Sequence, residues 1–122
     1  MTTPLHQLKA EFFKTLSHPV RIRVLELLSE REHSVGELLH EVQIEPSNLS
    51  QQLAILRRAG LVATRKEGST VYYSLVSDQI ADLMNVARTI LTSVLSEQAE
   101  LLNTLRTDAR ISQRNRVRRS AL

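Results

Sequence analysis

A chain of 122 residues is one domain's worth, with room for a modest core. Aromatic residues are 3% of it and cysteine is absent, so the core must come from Leu, Ile, Val and Ala, and disulfides, thiolate metal sites and thiol redox chemistry are excluded together. The net charge of +3 is unevenly placed: residues 106–122 hold six arginines against Asp108, a local +5, while ten basic and twelve acidic residues leave the rest at −2.

No run of about 18 apolar residues and no signal-peptide pattern occurs, so the expectation is a cytoplasmic chain without membrane contact. The first element is LHQLKAEFFKTL, whose Leu5, Leu8, Phe12, Phe13 and Leu16 make a helical stripe. Ser17-His18-Pro19 interrupts it, and Pro19 opens PVRIRVLELLSE. Val20, Ile22, Val24, Leu25, Leu27 and Leu28 are apolar on more than one side, which predicts a central helix. Arg21 and Arg23 are expected to reach solvent or to pair with acids such as Glu26.

After a short connection at His33-Ser34-Val35, Ser34 and Glu37 fit a capping box that starts a third helix. Leu38, Leu39 and Val42 form its buried side. Gln43-Ile44-Glu45 is then the turn into PSNLSQQLAILRRAG, where Pro46 suits the first helical position and Gly60 the left-handed residue past the end. Leu49, Leu53 and Leu56 give that fourth helix a narrow apolar stripe. Ser47, Asn48, Ser50, Gln51 and Gln52 are polar and uncharged, side chains suited to hydrogen bonding with base edges, and Arg57 and Arg58 at the far end suit phosphates. Two short helices joined by a tight turn form a helix-turn-helix.

Next come LVATRK, a Glu67-Gly68 turn and STVYYSLV, which read as a β-hairpin wing with Arg65 and Lys66 placed to hold phosphates. Pro46 to Tyr73 carries a local +3, whereas Glu30 to Glu45 carries five glutamates against Arg31, a local −4. That acidic run is expected to turn away from DNA. Ser77 caps a last helix with Asp78 in its first turn. Its apolar positions, Ile80 through Leu105, keep a 3-4 spacing for about seven turns, near 40 Å, more than so small a domain can cover. The surplus predicts a second copy paired through Leu5, Leu8, Phe12, Ile90, Leu91, Val94, Leu95, Leu101 and Leu102. Two-fold symmetry would set two recognition helices roughly 34 Å apart, on an inverted-repeat operator. The domain is thus expected to span residues 1–106, and residues 107–122 to be a basic, disordered tail, either solvated or holding phosphates non-specifically.

These elements describe a mainly α fold with a small β-hairpin wing: a winged helix-turn-helix, dimeric through its first and last helices. In order and spacing, FFKTLSHPVRIRVLELL, SVGELLHEVQIEPSNLSQQLAILRRAGLV and KEGSTVYYSL resemble the ArsR/SmtB family of bacterial winged-helix repressors, over residues 8 to about 95. The resemblance implies a homodimer that binds double-stranded operator DNA near a promoter and blocks transcription until a signal releases it. It places the recognition segment on Ser47, Asn48, Ser50, Gln51, Gln52 and Leu53, with glutamines where the family often has histidine. Many members bind metal through a Cys-x-Cys pair opening the third helix, and those positions hold Ser34 and Gly36. Others bind zinc on the last helix from an Asp-x-His start; aligned from Asp78, the remaining ligand positions hold Ile80, Leu91 and Val94, none of which can coordinate zinc.

The leading reading is therefore a repressor with no metal and no other cofactor, answering to an unidentified small molecule or protein if to any inducer. A second is a metal sensor with a non-standard site from His33, Glu37, His40 and Glu41. A third is a helical interaction module that no longer binds DNA, although such a module has no need of a basic wing. No Gly-rich phosphate loop, nucleophile elbow or Ser/His/acid spacing points to an enzyme.

Overall fold

All three prolines of the chain stand at helix starts. Pro4 is the N-cap of α1 (Leu5–Leu16), and Pro19 and Pro46 open α2 (Pro19–Glu30) and α4 (Pro46–Arg58). Pro has no N–H to leave unpaired at such a position, and its fixed φ is already helical. The computed structural model describes residues 2–121. Its remaining elements are β1 (His33–Ser34), α3 (Val35–Val42), β2 (Val62–Glu67), β3 (Thr70–Leu75) and α5 (Asp78–Ala121). Among the described residues no helix is long and apolar enough to cross a membrane.

Side chains at the helix ends satisfy backbone groups that would otherwise be orphaned. His18 accepts from the Val20 N–H through Nδ1 at 3.2 Å. The Ser34 and Glu37 box forms in both directions, at 3.0 and 3.1 Å, and Ser77 Oγ accepts from the Gln79 N–H at 3.1 Å. Arg21 differs from expectation: it does not pair with Glu26 but donates to the Thr15 carbonyl at 2.8 Å, closing the last turn of α1. At the end of α4 the Leu61 N–H donates to Leu56 O and the Gly60 N–H to Arg57 O, both at 3.0 Å, with Gly60 at φ +78°. This is a Schellman motif, and its accompanying apolar contact is supplied by buried Leu56 and Leu61.

Residues 1–84 make one compact unit and residues 85–122 a second. In the first, Val24, Leu25, Leu27 and Leu28 bury a broad arc of α2 at the centre. Leu38 packs there from α3, Leu49, Leu53 and Leu56 from α4, and Leu61, Val62 and Ile80 close the cluster. β2 and β3 pair antiparallel from Val62↔Leu75 to Glu67↔Thr70, leaving Gly68 and Ser69 as the two-residue turn. Gly68 at φ +62° occupies the first turn position, as a type II′ turn requires; Glu67 therefore belongs to the strand, not to the turn. β1 adds a third strand through His33↔Tyr73 and Ser34↔Tyr72, in the order β1-β3-β2. Two residues are too few for an alternation to show in sequence, so a connection was expected there.

The second unit is the helical segment from Asn85 onward. α5 runs unbroken from Asp78 to Ala121, through the residues where the apolar period stops. Residues 107–121 contain no Gly or Pro, and five of the fifteen are Arg, a strong helix former, so the backbone keeps propagating after the apolar period has stopped. Leu122 lies outside the described residues.

The glycines give a paired stability test. A Cβ at Gly60 would meet open space, yet the positive φ strains any L-residue. Gly60→Ala is expected to lower unfolding free energy by about 1–2 kcal/mol. Gly36→Ala, in the first turn of α3 with its nearest neighbour 3.9 Å away, should instead raise it by about 0.5–1 kcal/mol. Urea denaturation of both variants checks the opposite signs.

Candidate nucleic-acid interface

The leucine stripe of α4 decides which side of that helix is free. At about 100° per residue, Ser47, Gln51 and Arg58 lie opposite Leu49, and Ser50 and Arg57 flank them. All five are exposed. The free face is thus polar and uncharged over its first two turns and cationic at its end, where Arg57 and Arg58 also complement the negative helix terminus.

Two residues expected on this face do not belong to it as free groups. Gln52 is 8% exposed; its Nε2 donates to Asn48 Oδ1 at 3.1 Å, and its Oε1 is buried without a hydrogen bond. Asn48, half-buried, is the acceptor of that bond. The wheel carries the signal: Gln52 lies about 60° from Leu49 and about 40° from Leu56, on the shoulder of the stripe. Reading the helix as one apolar line with polar surroundings missed it.

The wing also differs from expectation. Lys66 is exposed on β2. Arg65, by contrast, is held: Nη2 and Nε donate to Glu32 at 2.6 and 3.3 Å, and Nη1 donates to Glu67 at 2.8 Å. Its guanidinium lies 4.5 Å from the Tyr72 ring centroid, directly across the β2–β3 pair. The fork of Arg meets two carboxylates and an aromatic face, a set that lysine could not satisfy. Arg65 consequently ties the wing to the α2–β1 connection. The acidic run does not all turn from the wing, since Glu32 reaches it. Nothing in the sequence indicated that Glu32 would meet a side chain 33 positions away.

A second ion pair braces α3. Arg31 Nη2 lies 2.7 Å from Glu37 Oε2 while Glu37 Oε1 accepts from the Ser34 N–H. The Arg31 hydrogen bond, joined by that backbone bond, holds the Glu37 carboxyl down at about 2. Arg65 likewise lowers Glu32. Arg31, His33, Ser34, Gly36, Glu37, His40 and Glu41 line one shallow depression. It brings together the four side chains of the non-standard metal reading, but with Arg31 among them, and His33 Nδ1 is engaged by Arg31 O at 2.8 Å. Among the described residues no group of three or more potential ligands is placed to hold a metal.

The expected pairing surfaces also resolve residue by residue. Leu5 and Leu8 are exposed on α1, whereas Phe12 is partly buried against its own core, edge-to-face with Phe13 at 5.5 Å, and Phe13 is the exposed ring. In the second unit Ile90, Leu91, Val94, Leu95, Leu101 and Leu102 are each between 42% and 61% exposed.

A helix-turn-helix of α3 and α4, followed at once by an antiparallel wing, defines a winged helix-turn-helix DNA-binding regulator. Residues 18–64 match the family of bacterial regulatory proteins called the arsR family. The chain is 59% identical over 104 residues to the HTH-type transcriptional regulator Rv0081 of Mycobacterium tuberculosis, covering 84% of this chain and 91% of that one. It is 44% identical over 81 residues to the biofilm growth-associated repressor of Xylella fastidiosa, covering 66% and 71%. The crystal structure of Rv0081 is similar with a TM-score of 0.75 at 58% identity, over 80% of this chain and 99% of that one. A solution structure of the homodimeric winged helix-turn-helix DNA-binding domain Mb0332 from Mycobacterium bovis gives 0.69 at 26%, over 76% and 86%. The chain belongs to the arsR family of transcriptional regulators.

The brace has a pH signature. Because the Glu37 pKa is lowered from 4.5 in the folded chain, the stabilisation it brings is fully present above about pH 4.5 and is lost as pH falls toward about 2. The melting temperature of Glu37→Gln should therefore lie below that of the parent at pH 6, and the gap should close on acidification. A constant gap across that range would show that the carboxylate charge is not what matters.

Proposed function

We propose that the chain is a homodimeric repressor that binds an inverted-repeat operator without a metal cofactor. The observation that carries this reading is the combination, in one chain, of an exposed uncharged face on α4 with apolar faces left bare on α1 and α5. Gln51 offers an amide suited to two-point pairing with adenine, and Ser47 and Ser50 offer single hydroxyl bonds. Arg57, Arg58 and Lys66 hold phosphates and set the register. Arg65 is a positioning residue that keeps the wing in place through Glu32, and Asn48 is steadied by Gln52 rather than free to search for a base.

Leu5 and Leu8 on α1, and Ile90, Leu91, Val94, Leu95, Leu101 and Leu102 on α5, are the surface for a second copy. Their burial removes apolar area from water at about 25 cal/mol per Å². A two-fold pair sets the α4 helices about one DNA turn, roughly 34 Å, apart and so requires an inverted repeat. Homodimeric Mb0332 supports this arrangement. For metal independence the support is chemical. Ser34 and Gly36 stand where the family's thiolates can stand, and the Ser34 hydroxyl and Glu37 carboxylate are already committed to the cap and to Arg31.

Selection of genomic fragments by the purified chain, with and without chelator, followed by footprinting, tests the reading as a whole. A discrete inverted repeat protected equally in both conditions is expected. Loss of the footprint with chelator would overturn metal independence, and no selected site would overturn the operator. On that site Gln51→Ala should weaken binding by about 1–3 kcal/mol and leave random DNA nearly unaffected. Leu95→Glu should yield a monomer in sedimentation velocity and lower operator affinity by at least about tenfold, since the second half-site no longer adds to the first; a dimer that survives the change would move the interface elsewhere.

A further inference from the structure

The arginines at the end of α5 form a surface that the operator reading does not use. Arg106, Arg110, Arg114 and Arg118 recur every four residues, all exposed, and make no ion pair with any described residue. A step of four residues rises about 6 Å and turns about 40° past a full circle, so the four guanidinium groups follow one another along a stripe about 18 Å long. Arg110, Gln113, Arg114, Val117 and Arg118 line a single shallow groove. Asp108 is the one acid between residues 106 and 119, and it has no arginine three or four positions away in either direction. Like charges at that spacing repel across a helix face, and no acidic row relieves them.

We propose that this arginine-striped end of α5 is a second contact surface for double-stranded DNA, one that binds the phosphate backbone and reads no sequence. Charge complementarity identifies the occupant. A duplex carries a phosphate charge every ~1.7 Å of its axis, counting both strands, so a length of duplex equal to the stripe carries roughly ten of them. Every cation in the segment is Arg and none is Lys, and the planar fork of Arg matches phosphate oxygens two at a time. A membrane surface fits less well. An interfacial helix needs an extended apolar face, and residues 106–119 offer only two large apolar side chains, Ile111 and Val117. The surface is independent of α4: base reading can fail while this contact persists.

The test uses the full chain with Arg106, Arg110, Arg114 and Arg118 all changed to Gln, and a companion with all four changed to Lys. Both replacements keep helix propensity close to that of Arg. Fluorescence anisotropy on a labelled random-sequence duplex is followed across a KCl series. The Gln variant should lower the slope of log affinity against log salt by about three units, while the Lys variant keeps most of it. Far-ultraviolet circular dichroism of the two should match. Gln51→Ala, which tests the operator, should leave this slope in place. An unchanged slope in the Gln variant would overturn the proposal. So would loss of binding to anionic phosphatidylserine vesicles with duplex binding intact, which would assign the stripe to a membrane.

Discussion

The docking of α4 on α2 through Leu49, Leu53 and Leu56 is the contact on which the rest depends. These three leucines are 2% exposed or less, and each would cost about 2–5 kcal/mol to truncate to Ala. Their burial does more than stabilise. Because they occupy one side of a helix with about 100° per residue, they determine that Ser47, Ser50 and Gln51 face outward and that Gln52 does not. A rotation of the helix by one residue would put Ser50 where Leu49 is buried, so the apolar stripe also selects which face is left exposed.

Around that seat the polar groups are arranged to hold loops still. Gln43 turns α3 into α4 with a left-handed backbone at φ 54°. The Schellman motif at Gly60 redirects the chain straight into β2, and the type II′ turn returns it as β3. Arg65 joins β2 to Glu32 and stacks on Tyr72, while Arg31 and the Ser34 cap join at Glu37. These pairs are solvent-exposed, where screening by water leaves a single salt bridge little net effect on stability. Their consequence is geometric: they limit how far the wing and the start of α3 can move relative to α2.

The cations are unevenly distributed along the chain. Over α4 and the wing, cations are few, and Arg65 is paired with Glu32 and Glu67 of its own chain. Along the end of α5 the cations are dense and of one type. Net charge for the whole chain hides this, because it sums a local −2 over residues 1–105 with a local +5 over residues 106–122.

Much of the fold was legible because its causes are local. Helix starts at Pro19, Pro46 and the Ser34–Glu37 box, the stop at Gly60, the hairpin and the core leucines each follow from residues within a turn or two of the feature they create. The family resemblance rested on the same segments. The outward side of α4 was only partly legible: the exposure of Ser47, Ser50 and Gln51 follows from the leucine stripe, but the burial of Gln52 required the angular edge of that stripe. Other features depended on neighbours that no local pattern names. The pairing of β1 with β3, the capture of Arg65 by Glu32 and the closure of α1 by Arg21 join residues brought close by packing of separate elements. Sequence by itself determined the order of helices and strands and which face of each was apolar, since backbone dihedral preference and side-chain periodicity act over a few residues. Tertiary structure alone decided which polar groups were left for a partner, because a charge or amide is free only when no distant part of the chain has already met it.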